Sequence, residues 1–134
     1  MATLVDTGPL VALIDRSQDT HEKCVKSLSS LSAPLVTTWP CLTEAMYFLG
    51  KSWRKQAPLW NLVENDRLEI HALTTAETRR LRVLMEKYQD APMDLADASL
   101  VATAETRELR RVFTLDSHFR LYRADDKESF EVVP

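Results

Sequence analysis

The chain has only two cysteines, Cys24 and Cys41, 17 positions apart and with no CxxC pair. That spacing indicates neither a disulfide framework nor a zinc ribbon, and a reducing compartment is the simplest home. No apolar run approaches the roughly 18 residues that a membrane span requires, and the N-terminus carries an acid at position 6 in place of a basic leader. A cytoplasmic protein with no membrane partner is expected. Excess positive charge is lacking too: 17 Lys+Arg face 20 Asp+Glu, a formal charge of −3. A domain held to nucleic acid mainly through phosphates is usually basic, so a nucleic-acid partner here would need local basic patches or bound metal ions. Repeats and Gly- or Ser-rich linkers are also absent, and 134 residues suit one domain spanning 1–134.

What is present is ordinary globular composition, 45% apolar and 28% charged. Residues 2–5, "ATLV", read as a short buried strand, and "GPLVALI" as a helix with proline in its first turn. Residues 21–32 place Cys24, Val25, Leu28 and Leu31 at helical spacing. "PLVTT" is a brief strand, followed by the helix "WPCLTEAMYFLG" with Gly50 as its stop. A helix from Trp53 to about Asp66, the alternating strand "RLEIHAL" and a helix opened by a Thr-x-x-Glu cap at Thr74 or Thr75 come next. Pro92 introduces the clearest helix, "MDLADASLVATAETREL", before the strand "RVFTLD" and the extended "FEVV". Strands alternating with helices predict a mainly parallel sheet covered on both faces. In such sheets the functional crevice lies beyond the carboxyl ends of the strands, where strand order reverses. Asp6 and Asp116 both sit at such an end.

Four acids stand in apolar company: Asp6 in "TLVDTGPL", Glu44 in "PCLTEAMYF", Asp97 in "MDLADASLVATA" and Asp116 in "VFTLDSHF". None of these windows contains Lys or Arg. Asp97 shares a helix face with Met93, Leu100, Val101 and Ala104, and Asp94 lies one turn earlier. An ionised carboxylate removed from water is costly unless paired, hydrogen-bonded or bound to metal, and four facing one crevice would repel one another. A divalent cation offsets that cost. Oxygen-only ligands favour Mg²⁺ or Mn²⁺, and such a pocket becomes a phosphate site able to activate water against a phosphodiester. Each acid also has a structural role open to it. Asp6 and Asp94 can cap helices, Asp97 can stabilise a first turn, Glu44 can reach a distant Arg, and Asp116 can close a turn. For Asp94 the cap is the better reading; for Asp97, one turn inside, the site is.

With its ordered segments "LVDTGPLVALID", "TTWPCLTEAMYFL", "DLADASLVATAE" and "VFTLDSHF", the sequence resembles the PIN-domain family, specifically its VapC-type toxin ribonucleases. The resemblance implies a three-layer α/β/α sandwich and a metal-dependent endoribonuclease. It carries the family's acids onto Asp6, Glu44, Asp97 and Asp116 as catalytic residues, with Asp6, Asp97 and Asp116 holding metal. Many relatives have an acid two positions after the fourth, where this chain has His118. An RNA substrate, a homodimer and a small antitoxin partner are implied in the same way.

Other residues receive plainer readings. Lys51, Arg54 and Lys55 would share a face beside Trp53 if "KSWRK" is helical, and could meet RNA. A solvated surface is at least as good a reading. Arg107, Arg110 and Arg111 read as ordinary surface, Trp39 and Phe119 as core, His118 as a turn residue, and His21 and His71 show no partner pattern. Thr7 and Thr114 adjoin acids, with a local backbone hydrogen bond as the simplest role. Two rival functions are weighed against the ribonuclease. One is a PIN-like module that binds RNA or a partner without cutting. The other is a phosphoacceptor signalling domain, which normally needs two acids after its first strand and a Lys after its last.

Overall fold

The computed structural model describes residues 1–32 and 34–134. Its strands are β1 (Thr3–Val5), β2 (Leu35–Thr38), β3 (Leu68–His71), β4 (Arg111–Phe113), β5 (Arg123–Ala124), β6 (Glu128–Ser129) and β7 (Glu131–Val133). Its helices are α1 (Thr7–Ile14), α2 (His21–Ser30), α3 (Trp39–Leu49), α4 (Trp53–Glu64), α5 (Thr75–Lys87) and α6 (Leu95–Arg107). A short 3-10 turn covers Ser117–Arg120.

Five strands form a parallel sheet in the order β3-β2-β1-β4-β7, while β5 and β6 make a small antiparallel pair apart from it. Side chains alternate across a strand, so neighbours in sequence serve opposite cores. Leu4, Val36 and Val112 face α5 and α6, where Leu81, Leu84, Leu100 and Val101 complete one apolar layer. Val5, Leu35 and Phe113 face the other way, toward Leu10, Leu42, Ala45 and Leu59 from α1, α3 and α4. The result is the three-layer α/β/α sandwich expected. No helix among the described residues is long and apolar enough to cross a membrane.

Local chemistry sets the helix ends. Asp6 begins α1 by accepting from the Thr7 backbone N–H, and Pro40 occupies the first turn of α3. Gly50 ends α3 at φ +76°, a left-handed conformation that glycine adopts without the steric penalty of a side chain. The Thr74–Glu77 register of the capping box is the one used. In α6 the helix begins at Leu95, three residues beyond Pro92, because Asp94 caps it.

Several expectations are corrected. Trp39 is not core but half exposed, since α3 turns its first residue outward; Phe119 is fully buried. Val25 is exposed while Cys24, one position earlier, is buried. Lys51 lies outside α4, so "KSWRK" does not form one helical face. His71 does have a partner, the buried Glu77, 2.8 Å from its Nε2, and His21 Nδ1 lies 2.6 Å from the Ala12 carbonyl. Arg107, Arg110 and Arg111 are engaged by Glu69, by Asp125 and Glu128, and by Glu131, which fits their reading as surface.

Candidate active site

The chain runs outward from β1 through β2 to β3, then returns to place β4 on the other side of β1. The order therefore reverses between β1 and β4, and a crevice opens beyond their carboxyl ends. Asp6 follows β1 directly, and Asp116 lies three residues beyond Phe113 at the end of β4. The start of α6 brings Asp97 to the same place. One carboxylate oxygen from each of Asp6, Asp97 and Asp116 lies within 4.8 Å of the others.

Glu44 stands beside this trio without joining it. Its Oε1 accepts a 2.7 Å hydrogen bond from Thr7 Oγ1, whose own residue neighbours Asp6. Asp94 is the N-cap of α6, and its carboxylate accepts from the Asp97 backbone N–H at 2.8 Å. Asp6 and Asp97 thus combine two roles treated above as alternatives: each stabilises a helix start and faces the crevice.

The acids are held by specific donors. Asp6 Oδ1 accepts from Thr7 N at 2.8 Å, and Asp6 Oδ2 from Thr114 Oγ1 at 2.7 Å. Thr114 Oγ1 in turn accepts from the Asp116 N–H at 3.0 Å, so one hydroxyl ties β4's exit to β1's exit. Asp97 Oδ2 accepts from the Asp94 N–H at 3.3 Å and from Tyr122 Oη at 3.2 Å. Asp116 Oδ1 accepts from the His118 N–H at 2.9 Å and lies 2.9 Å from His118 Nδ1. Thr7 and Thr114 therefore bind site carboxylates, beyond the local backbone role expected of them. Their adjacency to acids was the available signal. Tyr122 had none, because its partner is 25 residues away.

Burial and mutual repulsion dominate the electrostatics. Asp6 is pushed up to about 6, chiefly by burial and further by the charges of Asp116 and Asp94, against the lowering effect of Thr114 and Thr7. Asp97 is raised by burial first and then by Asp6 and Asp94. The Cys41 thiol, 3.9 Å from Asp6 Oδ1, is pushed up to about 12 by burial and by that neighbour, so it is an uncharged wall of the site. Among the described residues no Lys or Arg forms an ion pair with Asp6, Glu44, Asp97 or Asp116. Three converging carboxylates with oxygen donors only and, among the described residues, no paired Lys or Arg form a donor set that fits a hard divalent ion.

Two hollows adjoin the carboxylates. One, of about 150 Å³, has Thr114, Asp116, Lys23 and Arg120 in its walls. The other, of about 510 Å³, is lined by Trp39 and Leu95 with Glu44 and Asp94. Lys51 lines a separate groove with Tyr47 and Phe48.

The PIN-domain family profile matches residues 3–125. Ribonuclease VapC26 of Mycobacterium tuberculosis is 28% identical over 134 residues, covering 98% of this chain and 99% of that protein. Among solved structures, the M. tuberculosis toxin VapC20, described as cleaving the sarcin-ricin loop, superposes with a TM-score of 0.84 at 15% identity over the whole of both chains. A toxin–antitoxin complex from Klebsiella pneumoniae gives 0.68 at 18% identity over 86% of this chain and 87% of the other. These structural likenesses concern the fold.

Proposed function

Because this chain belongs to the PIN-domain family, we propose that it is a metal-dependent endoribonuclease, the toxin of a toxin–antitoxin pair, acting on cytoplasmic RNA as one compact domain. The observation that carries the reading is the meeting of Asp6, Asp97 and Asp116, from three distant parts of the chain, with no Lys or Arg among the described residues paired to them. The names of the relatives support the same reaction, and the toxin–antitoxin complexes among the structural neighbours support a small antitoxin as partner. A homodimer remains the family expectation.

In this mechanism Asp6, Asp97 and Asp116 would hold the cation, Mg²⁺ or Mn²⁺ by the hardness of their oxygens. A cation held there would supply Lewis acidity toward the scissile phosphodiester and the attacking water. The chain's own residues do the rest. Thr7 and Thr114 fix both oxygens of Asp6, so that acid enters the reaction with its orientation set. Tyr122 and the Asp94 N–H both engage Asp97 Oδ2 and so fix the orientation of that carboxylate. Glu44, with Oε1 anchored on Thr7, presents Oε2 to accept a proton from water. Lys23 and Arg120 offer positive charge to a neighbouring phosphate from their side of the crevice. Membership of the family, together with the single acid after β1, displaces the phosphoacceptor reading.

The test is cleavage of single-stranded RNA by purified protein. Mg²⁺ or Mn²⁺ should support cutting, a chelator should stop it, and Asp97→Asn and Glu44→Gln should each reduce it by at least about 100-fold with the circular dichroism spectrum retained. Undiminished cutting by either variant removes that residue from the mechanism.

A further inference from the structure

Trp39 is the first residue of α3 and Leu95 the first of α6, and each is 50% exposed. Neither side chain belongs to either core layer. They line the 510 Å³ hollow with Pro40 and Ala96, and its polar groups are Thr43, Glu44 and Asp94. Glu44 and Asp94 are the two acids left outside the three-carboxylate group. Each uses one oxygen internally, Glu44 toward Thr7 and Asp94 toward the Asp97 N–H. Among the described residues no protein donor engages the other oxygen of either.

We infer that this hollow receives an unpaired nucleobase of the RNA, adjacent to the phosphodiester that is cut. The inference rests on the ribonuclease reading and names the subsite that reading lacks. A nucleobase is a flat apolar ring with N–H groups on its edge, joined by one sugar to a phosphate. Its faces match Trp39 and Leu95, and its edge matches the two carboxylates. Stacking of single-stranded bases on aromatic side chains tolerates sequence, whereas a carboxylate accepting from an exocyclic amino group selects for it. Cytosine, adenine and guanine offer such a group and uracil offers its ring N3–H, so each base has a donor for the two carboxylates.

Hydrogen bonds link the lining of the hollow to the three-carboxylate group. Glu44 leads through Thr7 to Asp6, and Asp94 caps the helix turn that holds Asp97. A purely apolar helix of another protein would instead press hydrocarbon against Glu44 and Asp94 and strip their water without supplying donors. Charge and shape therefore favour the base.

The experiment compares wild type, Trp39→Phe and Trp39→Ala on a short single-stranded RNA in Mn²⁺, and on the same RNA made abasic in turn at each nucleotide flanking the cut. Trp39→Ala should lower kcat/KM about tenfold or more, mainly through KM, and Trp39→Phe should restore most of it. In wild type one abasic position should reproduce the loss, and in Trp39→Ala that substitution should add nothing. Mn²⁺ affinity and thermal midpoint should not move. An abasic penalty of equal size in both proteins overturns the inference, as does a Trp39→Ala variant that cuts normally but changes its molecular mass in solution. The latter result would mark the face as a contact between copies. Wild-type protein that cuts no RNA overturns the ribonuclease reading and this inference together, whereas a cutting wild type matched by Trp39→Ala overturns the inference alone.

Discussion

Replacing Asp6 by asparagine should stabilise the metal-free protein above neutral pH, although it removes a residue placed at the centre of the site. In the folded chain the Asp6 carboxyl lies at about 6, against an ordinary value of 3.8. The unfolded chain therefore releases this proton first as pH rises, the folded chain binds more protons between those values, and folding stability falls across that window. Above it, the roughly two-unit difference corresponds to about 3 kcal/mol of destabilisation. Asparagine carries no charge, so it relieves this while weakening the bonds from Thr7 N and Thr114 Oγ1, an opposing loss of about 1–2 kcal/mol. The net gain is about 1–2 kcal/mol at pH 8, or about 3–8 °C in melting midpoint for a chain of this size. At pH 3, where Asp6 is protonated in both states, only the hydrogen-bond loss remains and the variant should melt at or below wild type. Thermal melts by circular dichroism in chelator at pH 3 and pH 8 read both arms. Adding Mn²⁺ at pH 8 should then raise the wild-type midpoint and leave Asp6→Asn nearly unmoved. If Asp6→Asn lowers the midpoint by the same amount at both pH values in chelator, the account of a charge strained by burial is wrong.

Two further predictions concern residues behind the site. Tyr122→Phe keeps the aromatic packing against Tyr88 and Phe119 but removes the hydroxyl donated to Asp97, so Mn²⁺ binding measured by calorimetry should weaken about tenfold with little change in melting; equal affinity would reduce Tyr122 to filler. Glu77→Gln should destabilise the fold by about 2 kcal/mol at neutral pH, because burial alone would raise Glu77 yet the Thr74 N–H and His71 hold it below its ordinary value. That contribution is present above the unfolded carboxyl value and lost as pH falls through the folded one, so denaturant midpoints of the two proteins should converge once the pH is below the folded value.

Much of the architecture was legible locally. The apolar run before Asp6, Pro40 and Gly50 around α3, and the Thr74–Glu77 box each act through bonds within a few residues, so sequence spacing carries them. The four acids were equally visible because their neighbours in sequence include no cation. What stayed hidden depends on partners far along the chain. Trp39 looked like core because hydrophobicity does not tell which way a helix turns its first residue. His71 looked unpaired because Glu77 sits across a loop, on the next helix. The β5–β6 pair and the Tyr122 hydroxyl bond owe their places to packing against α6, which no local periodicity encodes.

The seat of Asp6 is built from both ends of the polypeptide, since Thr114 reaches it across 108 positions and β1 lies between β2 and β4. A nascent chain that has emerged only to residue 110 already contains Asp6, Glu44 and Asp97, yet it lacks the strand that lines up beside β1, the hydroxyl that steadies the first acid, and Asp116 altogether. A chain still being synthesised therefore holds no assembled three-carboxylate group until β4 and the turn beyond it are free to fold against β1.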